Sequence, residues 1–151
     1  MAETAATVHA SAVLVGERAV LIRGPAGSGK SRLALDLIQA ARSGTLTFAR
    51  LVADDRVVLT PSHGRLLARP PEALAGLIEV RGLGIRHLDH EVVAVVGLVV
   101  DLAVSGTQRL PEAPDQEIEI SGINLPRLAI AAGAEAFPSV LAFHLTKARE
   151  S

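Results

Sequence analysis

Residues 24–31 read Gly24-Pro25-Ala26-Gly27-Ser28-Gly29-Lys30-Ser31, which matches the Gly-x-x-x-x-Gly-Lys-Ser/Thr pattern of phosphate-binding loops. The apolar run 19–22 before it is typical of a strand, and residues 32–38 after it have helical spacing. The glycines allow backbone N–H groups to turn toward a phosphate, and the helix adds the partial positive charge of its N-terminus. The sequence therefore predicts a strand, loop and helix that bind a nucleotide or pyrophosphate. Lys30 is expected on the β- and γ-phosphates and Ser31 on Mg²⁺.

The amino-acid composition excludes several classes of protein and of binding partner. A chain of 151 residues suits one domain, here residues 1–151, and 49% hydrophobic with 21% charged residues indicates a globular fold. The net charge of −1 without a basic cluster argues against nucleic acid as a partner. The longest apolar stretch, 92–100, is too short to span a bilayer, and the first seven residues lack the basic start of a secretory signal. We therefore expect a cytoplasmic protein without a membrane partner, and the lack of cysteine excludes disulfides.

Local patterns predict more strands than helices. Strands are expected at 9–15, 19–22, 48–52, 57–60, 65–69, 77–80, 92–102 and 117–120, and helices at 32–43, 127–136 and 138–147. Gly82 is expected in a turn, and residues 108–116 in a loop. This pattern is typical of an α/β fold in which a mixed β-sheet with flanking helices carries the phosphate-binding loop.

Besides the phosphate-binding loop, phosphoryl transfer needs a carboxylate from elsewhere in the chain, which holds Mg²⁺ or activates the acceptor. Asp54 and Asp55 close an apolar strand, Glu79 lies within another, and Asp101 ends the most hydrophobic strand, as the Walker B aspartate of many nucleotide-binding proteins does. Adjacent residues of a strand point to opposite faces, so Asp54 and Asp55 can both serve the site only if the strand ends there. His9, 21 residues before Lys30, is expected on a strand beside the one that feeds the loop.

Four motifs of the chain resemble the catalytic domain of the HPr kinase/phosphorylase family, whose members modify a serine of the phosphocarrier HPr. They are His9-Ala10-Ser11, the loop 24–31, the sequence LVADD at 51–55, and the nine-residue stretch LIEVRGLGI at 77–85. The order and spacing agree, apart from a short insertion at 43–47. The resemblance is strong over residues 8–86 and weak after about residue 101.

The resemblance implies a fold like that of phosphoenolpyruvate carboxykinase, and roles for individual residues. Residues 24–31 would bind ATP, or pyrophosphate in the reverse reaction, and Ser31, Glu79 and Asp54 would serve as Mg²⁺ ligands. Asp55 would be the general base, and Lys30, His9 and Arg109 would be further catalytic residues. The partners implied are an HPr-type carrier and other copies of the chain, as a hexamer.

The chain also departs from the family. The arginine-rich Pro-x-Arg-Pro-Gly-Arg loop, tied to dephosphorylation and subunit contacts, is reduced to residues 125–128, and we expect a short form without the N-terminal domain of many members. Kinase activity is therefore the main expectation. Two alternatives stay open: a small-molecule kinase or NTPase that uses Asp101, and a nucleotide-sensing module without turnover.

Overall fold

The computed structural model describes residues 7–105 and 116–146, so Arg109 and most of the loop expected at 108–116 lie outside the described residues. Its strands, in chain order, are β1 (Thr7–Val15), β2 (Arg18–Arg23), β3 (Ala49–Ala53), β4 (Arg56–Ser62), β5 (Arg65–Arg69), β6 (Leu77–Val80), β7 (Gly84–His87), β8 (Ala94–Val104), β9 (Glu117–Ile120) and β10 (Ile123–Ala131). Its helices are α1 (Lys30–Arg42) and α2 (Phe137–Leu145), and Glu72–Leu74 forms a 3-10 turn. The fold is thus a mixed α/β fold built on a sheet, as the sequence predicts.

Five of the strands close into a ring. β1 pairs with β2, β2 with β8, β8 with β5, β5 with β4, and β4 again with β1. The long strand β1 pairs with two strands along one of its edges: its first residues pair with β4 and its last residues with β3. The inner core lies inside this ring and is made of small or branched side chains, among them Ala10, Leu21, Val57, Leu66 and Val99. Many of these inner residues are alanines, whose small side chains fit the narrow interior of a five-stranded ring.

A second core lies on the outer face of the ring. Here α1 covers β1 and β2 with Leu33, Ala34 and Leu37, while α2 contributes the fully buried Val140. The α1 side chains fall on one face of the helix, since they recur at its period of about four residues. This outer core fixes α1 against the sheet, and the loop at the start of α1 is fixed with it.

Three parallel strands determine where that loop lies. β8 is parallel to both β2 and β10, so all three strands end at the same edge of the sheet. Residues 24–31 leave β2 at this edge and enter α1. We call it the carboxyl edge, and parallel strands of α/β folds, in closed and in open sheets, carry ligand sites at this edge.

One of the predicted helices is wrong. Residues 127–136 are rich in alanine, which favours a helix, yet Ile123–Ala131 forms β10, and a turn follows. Leu128 and Ile130 pack into the outer core while Arg127 faces the other side, so pairing with β8 and burial override helix propensity. The helix predicted at 138–147 is confirmed as α2. The sequence pattern does not predict β7, because Gly84 favours a turn.

Within residues 7–105 and 116–146, no helix combines the length and apolar character needed to cross a membrane.

Candidate active site

The glycine-rich loop joins the end of β2 to the first turn of α1. Gly27 and Gly29 have φ of 79° and 99°, in the left-handed region that side chains disfavour. The Lys30 ammonium donates hydrogen bonds to the carbonyl oxygens of Gly24 at 2.8 Å and Pro25 at 3.1 Å. The side chain therefore crosses the loop, with its charge at the carboxyl edge.

Gly24 is required by close packing rather than by its backbone angle. A Cβ atom at this position would lie 2.6 Å from Ser28 Oγ and 3.0 Å from Leu102 Cβ. The Ser28 hydroxyl is itself buried and has no protein hydrogen-bond partner among the described residues. The first turn of the loop thus packs directly on the end of β8.

The Asp54 carboxylate connects the loop to two other segments. Its Oδ1 accepts hydrogen bonds from the Ser31 and Ser11 hydroxyls, each at 2.7 Å, and its Oδ2 accepts the Glu79 N–H at 3.1 Å. Asp54 is only 5% exposed, and Ser11 is fully buried. One buried carboxylate therefore joins the start of α1, the strand β1 and the strand β6.

The turn after β3 separates the roles of Asp54 and Asp55. β3 ends at Ala53, and Asp55 has a φ of 69°, which lets the chain turn at once into β4. The Asp55 N–H donates to Ser11 Oγ at 3.4 Å, and the Arg56 N–H donates to the Asp54 carbonyl at 2.8 Å. As a result the Asp54 side chain is buried in the network, while Asp55 is exposed beside it.

Glu79 and His9 lie next to the Asp54 network. Ile78 and Val80 pack into the outer core, whereas Glu79 between them is exposed. His9 is exposed and precedes Ser11 by two residues on the same face of β1. The structure thus gathers Lys30, Ser31, Asp54, Asp55 and Glu79 at one edge, with His9 nearby.

Asp101 has other partners. Its carboxylate accepts two hydrogen bonds from Arg23, at 2.7 and 2.9 Å, and one from Arg127 at 2.5 Å. Burial raises the pKa of Asp101, but the hydrogen bonds and charges of the two guanidinium groups outweigh it, so that pKa lies below the usual 3.8. Arg23 pairs in register with Ala10 of the inner core, so this ion-pair cluster lies on the inner side of the sheet, across from α1. The geometry argues against Asp101 as the second carboxylate of the loop.

Comparison with known proteins identifies the family of the chain. Residues 1–133 match the family model described as the HPr Serine kinase C-terminal domain. The chain belongs to the HPr serine kinase C-terminal domain family. The resemblance seen in the sequence is thereby confirmed.

Two members of the HPr serine kinase family show how much sequence this chain shares with its relatives. The HPr kinase/phosphorylase of Streptococcus thermophilus is 34% identical over 140 residues, which cover 82% of this chain and 41% of that protein. The HPr kinase/phosphorylase of Clostridium beijerinckii is 41% identical over 78 residues, covering 52% of this chain and 24% of that protein. The chain therefore spans about two fifths or less of the length of these curated relatives.

A solved structure of the family has the same fold. The Hpr(Ser) kinase/phosphatase from Coxiella burnetii superposes with a TM-score of 0.68 at 26% identity, covering 83% of this chain and 79% of that one.

Sequence reasoning misses two side-chain networks of this family member, one inside the candidate site and one on the other face of the sheet. Ser11 belongs to one of the four motifs but carries no predicted role, although it is a buried hydroxyl that holds Asp54. The signal is present, since a serine inside the apolar run 10–15 of a buried strand needs a hydrogen-bond partner. The pairing of Arg23 and Arg127 with Asp101 has no comparable signal.

Proposed function

We propose that this chain is the catalytic domain of an ATP-dependent protein serine kinase that phosphorylates an HPr-type phosphocarrier. The observation that carries the proposal is the hydrogen bond from Ser31 to the buried Asp54, with Asp55 exposed one residue further on. In phosphate-binding-loop enzymes, the metal ion is held by the loop serine and by an aspartate from another segment of the chain. Asp101, in contrast, accepts its hydrogen bonds from Arg23 and Arg127.

The nucleotide is proposed to bind at residues 24–31. The backbone N–H groups of residues 26–29, the N-terminus of α1 and the Lys30 ammonium supply the positive potential that phosphate oxygens require. The proposal includes a fold like that of phosphoenolpyruvate carboxykinase, as the sequence resemblance implies.

The donor atoms at this edge fit Mg²⁺. Ser31, Asp54 and Glu79 offer hydroxyl and carboxylate oxygens, which are the donors that this hard cation prefers. Asp54 Oδ2 accepts one hydrogen bond from the protein, and a carboxylate oxygen has room for a second contact. Mg²⁺ is commonly held by one or two carboxylates together with substrate phosphates. When bound, it neutralises charge on the transferred phosphoryl group.

Asp55 is proposed as the general base. The acceptor serine oxygen attacks the γ-phosphorus, the bond to the β-phosphate oxygen breaks, ADP leaves, and the serine proton passes to the Asp55 carboxylate. The exposure of Asp55 supports this role, because a protein substrate must reach the base from solvent. His9, on the same face of β1 as Ser11, and Arg109 are proposed as further catalytic residues.

The forward reaction is proposed as the main activity. In the reverse direction inorganic phosphate would attack phosphoserine and release pyrophosphate. Arg127, within the shortened segment 125–128, is bound to Asp101, so its charge is already compensated. Assembly into a hexamer and a cytoplasmic location are further parts of this proposal, taken from the resemblance.

A phosphorylation assay tests the proposal. Purified protein is incubated with ATP, Mg²⁺ and the HPr-type carrier from the same genome, and the carrier is examined by intact mass. We expect one added phosphate on a serine and a loss of at least about 100-fold in rate for Asp55→Asn, because general bases contribute about 10²–10⁴-fold.

Asp89→Asn is the matched control, since Asp89 is an exposed aspartate beside Arg42 near the C-terminal end of α1, far from the loop. It should leave the rate unchanged. ATP binding without transfer to the carrier would contradict the proposal and favour the small-molecule kinase or the sensing module.

A further inference from the structure

The β6–β7 hairpin presents exposed apolar side chains beside the candidate site. β6 and β7 form a two-stranded ribbon of their own, with residues 81–83 at its tip. The ribbon is anchored, because Ile78 and Val80 pack into the outer core. On the rest of the hairpin, Leu83 is 67% exposed and Ile85 is 62% exposed. A soluble domain rarely leaves neighbouring large apolar side chains this exposed without a binding partner.

Strand register ties these side chains to the catalytic edge. Ile85 is the direct antiparallel partner of Glu79, so the two side chains lie on the same face with Cβ atoms about 4.5–5.5 Å apart. The Glu79 N–H in turn donates to Asp54. Ile85 therefore lies next to a proposed metal ligand.

The charge of the hairpin indicates the chemistry of its partner. Residues 80–88 contain Arg81, Arg86 and His87 and no carboxylate, and all three of these polar side chains are exposed. The nucleotide already has its own loop, and an apolar surface bordered by cations suits a protein surface with an apolar centre and an acidic border.

We infer that the β6–β7 hairpin is the docking surface for the protein substrate. Leu83 and Ile85 contact an apolar patch beside the acceptor serine, and Arg81 faces a carboxylate beside that patch. The hairpin holds the acceptor against the base and sets which protein is phosphorylated. This inference rests on the proposed kinase function.

The test uses the double variant Leu83→Ser/Ile85→Thr in the full chain. Threonine keeps the β-branched shape that suits β7, and the serine replaces an exposed residue of the turn, so the hairpin retains its local preferences. The matched control is Val92→Thr: Val92 is 69% exposed but precedes the first residue of β8, at the edge opposite the loop. Steady-state kinetics are measured against the carrier and, separately, against ATP.

We expect the KM for the carrier to rise at least ten-fold in the double variant, with the KM for ATP and the melting temperature unchanged, and no effect in the control. An unchanged KM for the carrier would overturn the inference and leave the kinase standing. An equal rise in Val92→Thr, or a fall in kcat alone, would also overturn it. If the wild type transfers no phosphate, the proposed function fails, and this inference fails with it.

Discussion

Replacing Asp101 by asparagine should destabilise the fold without removing nucleotide binding. Asp101 accepts three charge-assisted hydrogen bonds, and its side chain is 13% exposed, with Arg23 and Arg127 at 32% and 21%. The neutral amide of the variant would leave two guanidinium groups, partly buried, without a counter-charge. Loss of one partner from a buried pair costs about 3–5 kcal/mol, and the partial exposure of both arginines brings the expectation to about 2–3 kcal/mol.

For a domain of this size, such a change lowers the melting temperature by about 4–12 °C. Urea unfolding at pH 7 measures the free energy directly, and isothermal titration with ATP and Mg²⁺ measures the affinity. The second measurement matters because a Walker B aspartate would show the opposite pattern, with affinity lost and stability kept.

The pH dependence of the same cluster follows from the lowered pKa of Asp101. Folding favours the ionised carboxylate, so its contribution to stability is complete above the ordinary pKa of 3.8 and is lost as the pH falls through the lower folded pKa. The stability difference between wild type and Asp101→Asn should therefore be the same at pH 7 and pH 5 and should shrink only below about pH 4.

Glu17→Gln, a neutralised carboxylate on the exposed turn between β1 and β2, is the control and should change stability by less than about 0.5 kcal/mol. A stability loss for Asp101→Asn as small as this control's would refute the reasoning, as would a difference that disappears between pH 7 and pH 5.

Two further predictions concern the loop and its carboxylate. Gly24→Ala places a Cβ atom 2.6 Å from Ser28 Oγ and should weaken ATP binding at least ten-fold by calorimetry, whereas an unchanged Kd would show that the loop tolerates the contact. Ser11→Ala and Ser31→Ala each remove one hydrogen bond to Asp54, worth about 1 kcal/mol. Only Ser31→Ala should also weaken the Mg²⁺ dependence of ATP binding in a magnesium titration, and equal behaviour of the two variants would contradict the roles given to them.

The local features of the site are accessible from the sequence. The loop 24–31 determines its own backbone through its glycines, and the apolar runs before and after it specify the strand and helix that hold it. Asp54 and Glu79 stand out as carboxylates at or near strand ends. These features depend on residues that are close to one another in the sequence, and a sequence pattern describes such residues.

The features that depend on register are not accessible in this way. Arg23 and Asp101 are 78 residues apart, and they meet only because β2 and β8 run parallel with these residues opposite each other. Residues 127–131 have a helical composition, and β10 exists because β8 offers a partner and the outer core takes its apolar side chains. No pattern within a window of about ten residues contains that information.

The contacts of Asp54 also connect ligand binding to the folding equilibrium. The carboxylate joins Ser11, Ser31 and Glu79, which are 43, 23 and 25 residues away in the chain, so no short segment forms this network alone. An unfolded chain therefore lacks the proposed site, so the nucleotide of the proposed function would bind only the folded state. At about a hundred-fold excess over its Kd, a ligand of this kind adds about 2.7 kcal/mol to the stability of the folded state. With the proposed function, the nucleotide supply of the cell would help to set how long each molecule resists unfolding and proteolysis.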